Sequence, residues 1–415
     1  MLIEPGVYNE EVKVVKPHTW IHIRGMNRNG VILDGQHKPL AGGSNGIEIL
    51  EDSYVWVENL TARNFDRFEA DGPGGNEIWW NGGEGTGKVN ARGWYGSYLT
   101  AYDDGLNGGY GIFTNNETIG SWHDIYASGF NDSGIYLGAC QECRAKISKA
   151  TIEYNAVGYS GSNSGGELVI ENSTFAHNTS GVVPNSENPG DGPPPQDGAC
   201  GRPNSTKPNP TPHFKSTEIE RCTIIRKNLI TENNNLSAPG NPSTNRAPWG
   251  VGVELPGDYA DAVEENTITK NPNNGVLGFE YPNPFPPTEQ TIYFQLAGNK
   301  IANNTFSENG TSALSYAGDV TLQGGLFSSG QSQSTNNCVS GNSFTAATYP
   351  ANIETTWGCQ NATTPNPNNG FGSIEYLLQL QAESEARISV PQPVPGSQTT
   401  MPEPCKGVPL NPLCP

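Results

Sequence analysis

A short phrase returns about every 23 residues between Gly111 and Val183. It reads Gly111-Ile112-Phe113, Gly134-Ile135-Tyr136, Val157-Gly158-Tyr159 and Gly181-Val182-Val183, and Asn131, Asn155 and Asn178 precede the last three copies. A second phrase, a small or apolar pair followed three residues later by Asn, marks the same units and continues beyond them. It runs Thr151-Ile152 to Asn155, Thr174-Phe175 to Asn178, Leu229-Ile230 to Asn233, Thr267-Ile268 to Asn271 and Thr305-Phe306 to Asn309. A period of this length, held over several units, is the signature of a solenoid.

One such unit cannot bury a core alone. Ile21-His22-Ile23, Ile47-Glu48-Ile49, Val55-Trp56-Val57 and Leu168-Val169-Ile170 are short, mostly alternating and rich in β-branched residues, which reads as strands rather than helices. Stacking coils ~4.8 Å apart pairs each backbone group with its neighbours and builds a continuous apolar column. Asn suits the corners, because it tolerates the left-handed backbone region and can bond to the Asn above and below. The expected fold is an all-β, right-handed parallel β-helix.

Strand alternation then places the candidate chemistry. If Ile135 points inward, Tyr136 points outward, and equating the repeats puts Phe113 and Tyr159 beside it in an aromatic ladder. Exposed rings on a parallel sheet can receive the C–H faces of sugars; the alternative is a ladder covered by insertions for stability. Asp132, Ser160, Asn163 and Asn185 lie at equivalent entries and exits and should gather on the same face. One coil earlier, Asp103-Asp104 could bind Ca²⁺ or act as acid and base, or form a solvated turn beside Gly105. Arg92 and Arg144 could neutralise a uronate carboxylate or serve in surface ion pairs. His123 and His177 share no coil position with a suitable Ser or Asp, so a nucleophilic triad has no support and both read as corner residues. The catalytic candidates are therefore Asp132, Asp103 and Asp104, with no metal specified beyond Ca²⁺.

Composition narrows the setting. The chain has 415 residues with 51 Gly, 33 Pro and 16% charged residues, a turn-rich profile. A net charge of −19 disfavours nucleic acid as a partner. No apolar stretch approaches the ~18 residues of a membrane span. The chain reads as beginning mid-coil, at Leu2 to Tyr8, so a leader or N-terminal cap is expected ahead of it. The eight cysteines pair most simply with their sequence neighbours: Cys140 with Cys143, Cys200 with Cys222, Cys338 with Cys359 and Cys405 with Cys414. Such a framework implies a secreted or cell-surface protein. Redox or zinc chemistry at Cys140-Gln141-Glu142-Cys143 would require a helix N-terminus or two further ligands, which the surrounding sequence does not offer.

The organisation expected is a β-helix over residues 1–372, with loop insertions near 66–93 and 185–217. The first insertion takes in Trp79-Trp80. A capping helix over 373–389 carries Ile374, Leu377, Leu378 and Gln381 at helical spacing and should close the last coil, and a Pro-rich extended tail covers 390–415.

The phrases from Asn131 to Cys140, Val157 to Gly166 and Gly181 to Ser186, the tail Thr400-Met401-Pro402 and the opening Ile3 to Tyr8 resemble secreted bacterial right-handed β-helix repeat proteins of the pectate-lyase-like superfamily. That resemblance spans most of residues 2–402 and implies the fold. The superfamily includes polysaccharide lyases, glycoside hydrolases, epimerases and non-catalytic surface proteins, so it implies a polysaccharide or cell-surface glycan as partner without choosing a reaction. The lyase pattern of several Asp calcium ligands beside a catalytic Arg or Lys has no clean match in this chain. Two readings follow: a carbohydrate-active enzyme working along the outer face, and a non-catalytic scaffold or glycan-binding protein.

Overall fold

The computed structural model describes residues 1–39, 45–68, 75–83, 90–186, 222–280, 296–323, 336–361 and 373–415. Among these, the strands form two wholly parallel sheets, sheet A of nineteen strands and sheet B of eleven. One coil shows how they are made. Ser133–Gly138 lies in sheet B, the chain turns at Ala139, and Cys140–Ser148 and Thr151–Glu153 lie in sheet A before the next coil begins at Val157. Val55–Arg63 and Trp94–Tyr102 run unbroken through both sheet A segments, joining them into one sheet. The result is a right-handed parallel β-helix.

Inward side chains form a single column from Ile23 to Val339, filled by Trp80, Trp94, Trp122, Phe130, Phe175 and Phe306 at its widest points. Most coils enter sheet B through a glycine. Gly111, Gly134, Gly158, Gly181, Gly252 and Gly275 stack in register, and a Cβ on Gly181 would lie 2.3 Å from the carbonyl oxygen of Gly252 on the next coil. No larger side chain fits there without moving the backbone.

The corners divide between two adjacent residues the work expected of Asn alone. Tyr154, His177, Glu232, Lys270 and Glu308 take the left-handed conformation, with φ from 54° to 62°. The Asn that follows each of them points inward. Asn155, Asn178, Asn233, Asn271 and Asn309 form one ladder, in which the Oδ1 of Asn178 accepts both the backbone N–H and the Nδ2–H of Asn155 at 3.0 Å. A parallel ladder joins Asn228, Asn266, Asn304 and Asn342. Each ends on a carboxylate, Asp319 receiving Asn309 and Glu354 receiving Asn342. Buried amides stacked this way leave no donor unpaired along the column.

The C-terminal end of the core is closed by α1 (Ile353–Thr356), whose Ile353 joins the column with Trp357. The helix expected over 373–389 is present as α2 (Ile374–Glu385), capped by Ser373 Oγ accepting from Tyr376 N–H. Its Tyr376 and Leu380 pack on Val251, Leu277 and Phe279 of the outer face of sheet B, and Tyr376 Oη donates to Asn274 Oδ1 at 2.5 Å.

The tail is extended and docked along the solenoid back to its first coils. Gln392 meets Asn235, Gln398 N–H donates to Asn29 Oδ1, and Met401 N–H donates to Asn59 Oδ1 at 2.8 Å. Disulfides join Cys140 to Cys143, Cys338 to Cys359 and Cys405 to Cys414. Cys222 is also disulfide-bonded. Its expected partner Cys200 lies outside the described residues, as does most of the 185–217 insertion. Trp79 and Trp80, read from the sequence as part of an insertion, instead lie on the strand Asn76–Asn81 within sheet B.

Candidate functional site

The outer face of sheet B carries the aromatic patch, in a different register from the one the repeat suggested. Phe113 pairs with Tyr136 as expected, but Tyr136 pairs with Ser160, and Tyr159 pairs with Ile135. Tyr159 therefore points into the core and is fully buried. The glycines show why: Gly134 stacks with Gly158, 24 residues later, so equating Tyr136 with Tyr159 slips the strand by one and reverses its faces. The ring that replaces Tyr159 is on the other side of Phe113, where the strand register places Trp79.

Trp79 and Phe113 stack with centroids 5.1 Å apart and planes 4° from parallel. Tyr136 meets Phe113 edge-on at 5.0 Å, and Tyr110 leans against both. Trp79 Nε1–H donates to Asn115 Oδ1 at 2.7 Å, which fixes the indole. On the coil before Trp79 the same column holds Glu48, paired with Lys13 at 2.8 Å and accepting from Asn81 Nδ2–H. On the coil after Tyr136 it holds Ser160. A second ring stack on sheet A differs in kind. Trp20, Tyr54, Trp56, Tyr95 and His22 pile nearly parallel, so most of their faces are spent on one another.

At the entry to this patch the turns that follow Asp34, Arg63 and Tyr102 gather carboxylates. His37 sits among them: its Nε2 lies 2.7 Å from Asp104 Oδ1 and its Nδ1 3.1 Å from Asp66 Oδ1 and 3.7 Å from Asp103 Oδ1. Burial, the strongest single influence, lowers the imidazole pKa, but the bonds to Asp104 and Asp66 outweigh it and the net shift is upward. Asp103 is buried, not a solvated turn, and its carboxylate accepts the N–H groups of Gly105 and Gly108. Loss of solvent, with Asp66 adding to it, pushes its pKa up to about 7. Arg63 is taken by Asp34 and Tyr102. His37 is also the residue the sequence reading missed. It precedes any recognisable repeat, and its partners lie 29 and 67 residues away.

Asp132 lies at the edge of the patch but is engaged. Its Oδ2 accepts from Asn241 Nδ2–H at 2.9 Å and its Oδ1 from Ser133 Oγ–H, which ties the loop 235–247 to this coil with help from Thr244 and Asn131. Burial raises its pKa, partly offset by those bonds and by Arg67. Arg67 is the basic residue at this edge, its guanidinium 5.9 Å from the Tyr110 ring. Arg92 and Arg144 are not. Arg92 is exposed at the sheet A corner beside Tyr54, and Arg144 lies on sheet A, 3.6 Å from Glu167. Asn163 is a buried corner residue with φ 54°, and Asn185 ends the strand Ser180–Asn185. Of the predicted set, the structure brings together Phe113, Tyr136 and Ser160 in one column, with Asp132 at its edge and Asp103 and Asp104 at the neighbouring turn.

A family model described as a protein of unknown function, DUF1565, matches residues 227–369. No curated protein sequence matches the chain. Among solved structures, the A-module of the mannuronan C-5 epimerase AlgE6 from Azotobacter vinelandii is 11% identical, with 84% of this chain and 86% of that one covered and a TM-score of 0.46. The tailspike protein of E. coli bacteriophage HK620, solved with a hexasaccharide, is 11% identical over 77% of this chain at a TM-score of 0.44, and this chain spans 46% of its length. The Dettilon tailspike is 14% identical, covering 82% of this chain and 60% of that one, with a TM-score of 0.43. Its two parallel sheets, stacked coil on coil around one apolar column, make the chain a right-handed parallel β-helix protein.

Proposed function

We propose that the protein is an extracytoplasmic glycan-binding β-helix whose sugar platform is the half-buried Trp79, Phe113 and Tyr110 of sheet B, backed by the buried Tyr136. One observation carries this reading: four rings from three successive coils converge on one outer column, with polar groups on both sides of it. Trp79 is half-buried and held by Asn115, so its indole is presented rigidly, and the partly exposed Asn115 stands where a hydroxyl of a stacked pyranose needs a partner. An oxidising compartment fits the disulfides.

The binding reading is favoured over bond cleavage by what the carboxylates are doing. Asp132 and Asp103 each accept a structural hydrogen bond on both oxygens, which engages them in holding turns and loops rather than in reaching a substrate on the ring column. Titration calorimetry against a panel of acidic and neutral polysaccharides tests the proposal. Trp79→Ala should weaken binding at least tenfold with an unchanged melting curve, while Trp20→Ala on sheet A leaves affinity as it was. Equal affinity for wild type and Trp79→Ala would sink the platform, and product release from any glycan would replace binding with catalysis.

A further inference from the structure

We propose that His37, Asp103 and Asp104 hold a divalent transition-metal cation of the Zn²⁺ or Mn²⁺ class, with Asp66 orienting the imidazole from behind. The ligand atoms of the three lie within 4.8 Å of one another. Asp66 accepts the Nδ1–H of His37, which leaves Nε2 directed at Asp104. A carboxylate behind one ring nitrogen and an oxygen donor before the other is the arrangement that fixes the tautomer of a metal-ligating histidine. A cation entering between Nε2 and Asp104 would replace the proton the two now share. His37 and Asp104 are each about one-third exposed, so the position is reachable from solvent.

A second observation, independent of the cluster itself, comes from below. Glu77 occupies the column where the coils on either side carry Gly46 and Gly111. Its side chain is fully buried. Its Oε1 accepts the N–H of Phe65, which fixes the carboxyl next to Asp66, and its Oε2 finds no hydrogen-bond partner among the described residues. A fully buried carboxyl with one oxygen unpartnered, held beside Asp66, leaves a polar atom next to the His37 cluster that the fold itself does not use. Among the described residues His37 is the only ion-pair partner of Asp66, Asp103 and Asp104. One imidazole among these carboxylates favours a borderline cation over Ca²⁺, which takes oxygen ligands. The inference does not rest on the glycan reading.

The test is calorimetry on the full chain after chelator dialysis, titrating Zn²⁺, Mn²⁺ and Ca²⁺ separately. One site per chain for Zn²⁺ or Mn²⁺ is expected, weakened at least tenfold in both His37→Ala and Asp104→Asn. His123→Ala removes another histidine beside an aspartate, His123 and Asp124 at 2.8 Å, and should bind as wild type does. Circular dichroism confirms folding of each variant, and Asp104→Asn, isosteric and at the surface, keeps the test decisive should His37→Ala misfold. Unaltered affinity in Asp104→Asn, binding of Ca²⁺ alone, or no stoichiometric binding of any of the three overturns the proposal.

Discussion

The coils after Asn155 and the coils before Tyr102 solve the same stacking problem differently. In the later coils two buried Asn ladders run corner to corner, and from Asn228 each step spans 38 residues. Among the described residues the early coils have no such run. Asn59 bonds only to Gly25 O within the solenoid, and its Oδ1 is satisfied by Thr400 and Met401 of the returning tail. Arg28, buried beside it, spreads its donors over Leu99, Thr100, Asp124 and Thr399. A ladder repeats one residue; a strap requires each contact to be met individually. The irregular coils are also the ones that carry Trp79 and His37.

The sharpest way to break this comparison is to cut the ladder. Asn271→Ala leaves the buried N–H and Nδ2 of Asn233 and the carbonyl of Ile230 without their partner. At ~1–3 kcal/mol for each stranded group, a loss of about 4 kcal/mol is expected in urea unfolding. Asn59→Ala should cost about 2 kcal/mol, because the tail can relax toward water. Equal losses at the two sites would mean that the strap is as cooperative as the ladder.

The next effect depends on pH and sits where the aromatic column gives way to aliphatic packing. Glu254 is buried on sheet B one coil before Leu277, and it accepts from Ser180 Oγ–H. Burial raises its pKa from 4.5 to about 8, and the Ser180 bond only partly opposes this. The folded state therefore binds the proton more tightly than the unfolded chain does. The stabilisation is complete below pH 4.5 and is lost as pH rises toward 8. Glu254→Gln should match wild type near pH 4 and exceed it by on the order of 3 kcal/mol at pH 9, at ~1.4 kcal/mol per pH unit less relaxation. Parallel stability curves from pH 4 to 9 would show that Glu254 is solvated.

A smaller effect tests the strap itself. Ending the chain at Ser389 removes the partners of Asn29, Asn59 and Arg24 but none of the ladder. Hydrogen exchange should accelerate about tenfold in the first two coils, while amides between Asn228 and Asn309 keep their protection. Uniform acceleration would make the tail a global fastener.

The same contrast explains what could be read from the sequence. Asn155, Asn178 and Asn233 recur at one corner because each bonds to the next, so the period is a direct image of the contact. The fold followed from it, while the pairs Cys140–Cys143, Cys338–Cys359 and Cys405–Cys414 followed from cysteine order and the extended tail from its prolines. The strand faces did not, because parity depends on a one-residue choice, and the Gly111, Gly134, Gly158 and Gly181 row was the signal that would have fixed it. Of the His37 corner only the adjacent pair Asp103-Asp104 stood out in the sequence, and its junction with His37 and Asp66 could not be seen. Its members come from turns 29 to 67 residues apart, with no repeated spacing, and adjacency there exists only after the coils stack.

Tyr159 offers the smallest and most pointed check. If it belonged to an outer ladder with Tyr136, losing its hydroxyl would matter to a bound sugar and little to the fold. Instead its ring fills the core between Ile135 and Val182, and its Oη is buried with no hydrogen-bond partner among the described residues. Burying an unpaired hydroxyl costs ~1–3 kcal/mol on mutational scales. Tyr159→Phe keeps the ring and removes that cost, so the midpoint of urea unfolding should rise, by the equivalent of about 1 kcal/mol, with glycan affinity unchanged. A destabilised Tyr159→Phe would mean that its hydroxyl has a partner in the folded protein, and a loss of sugar binding would return the residue to the outer face.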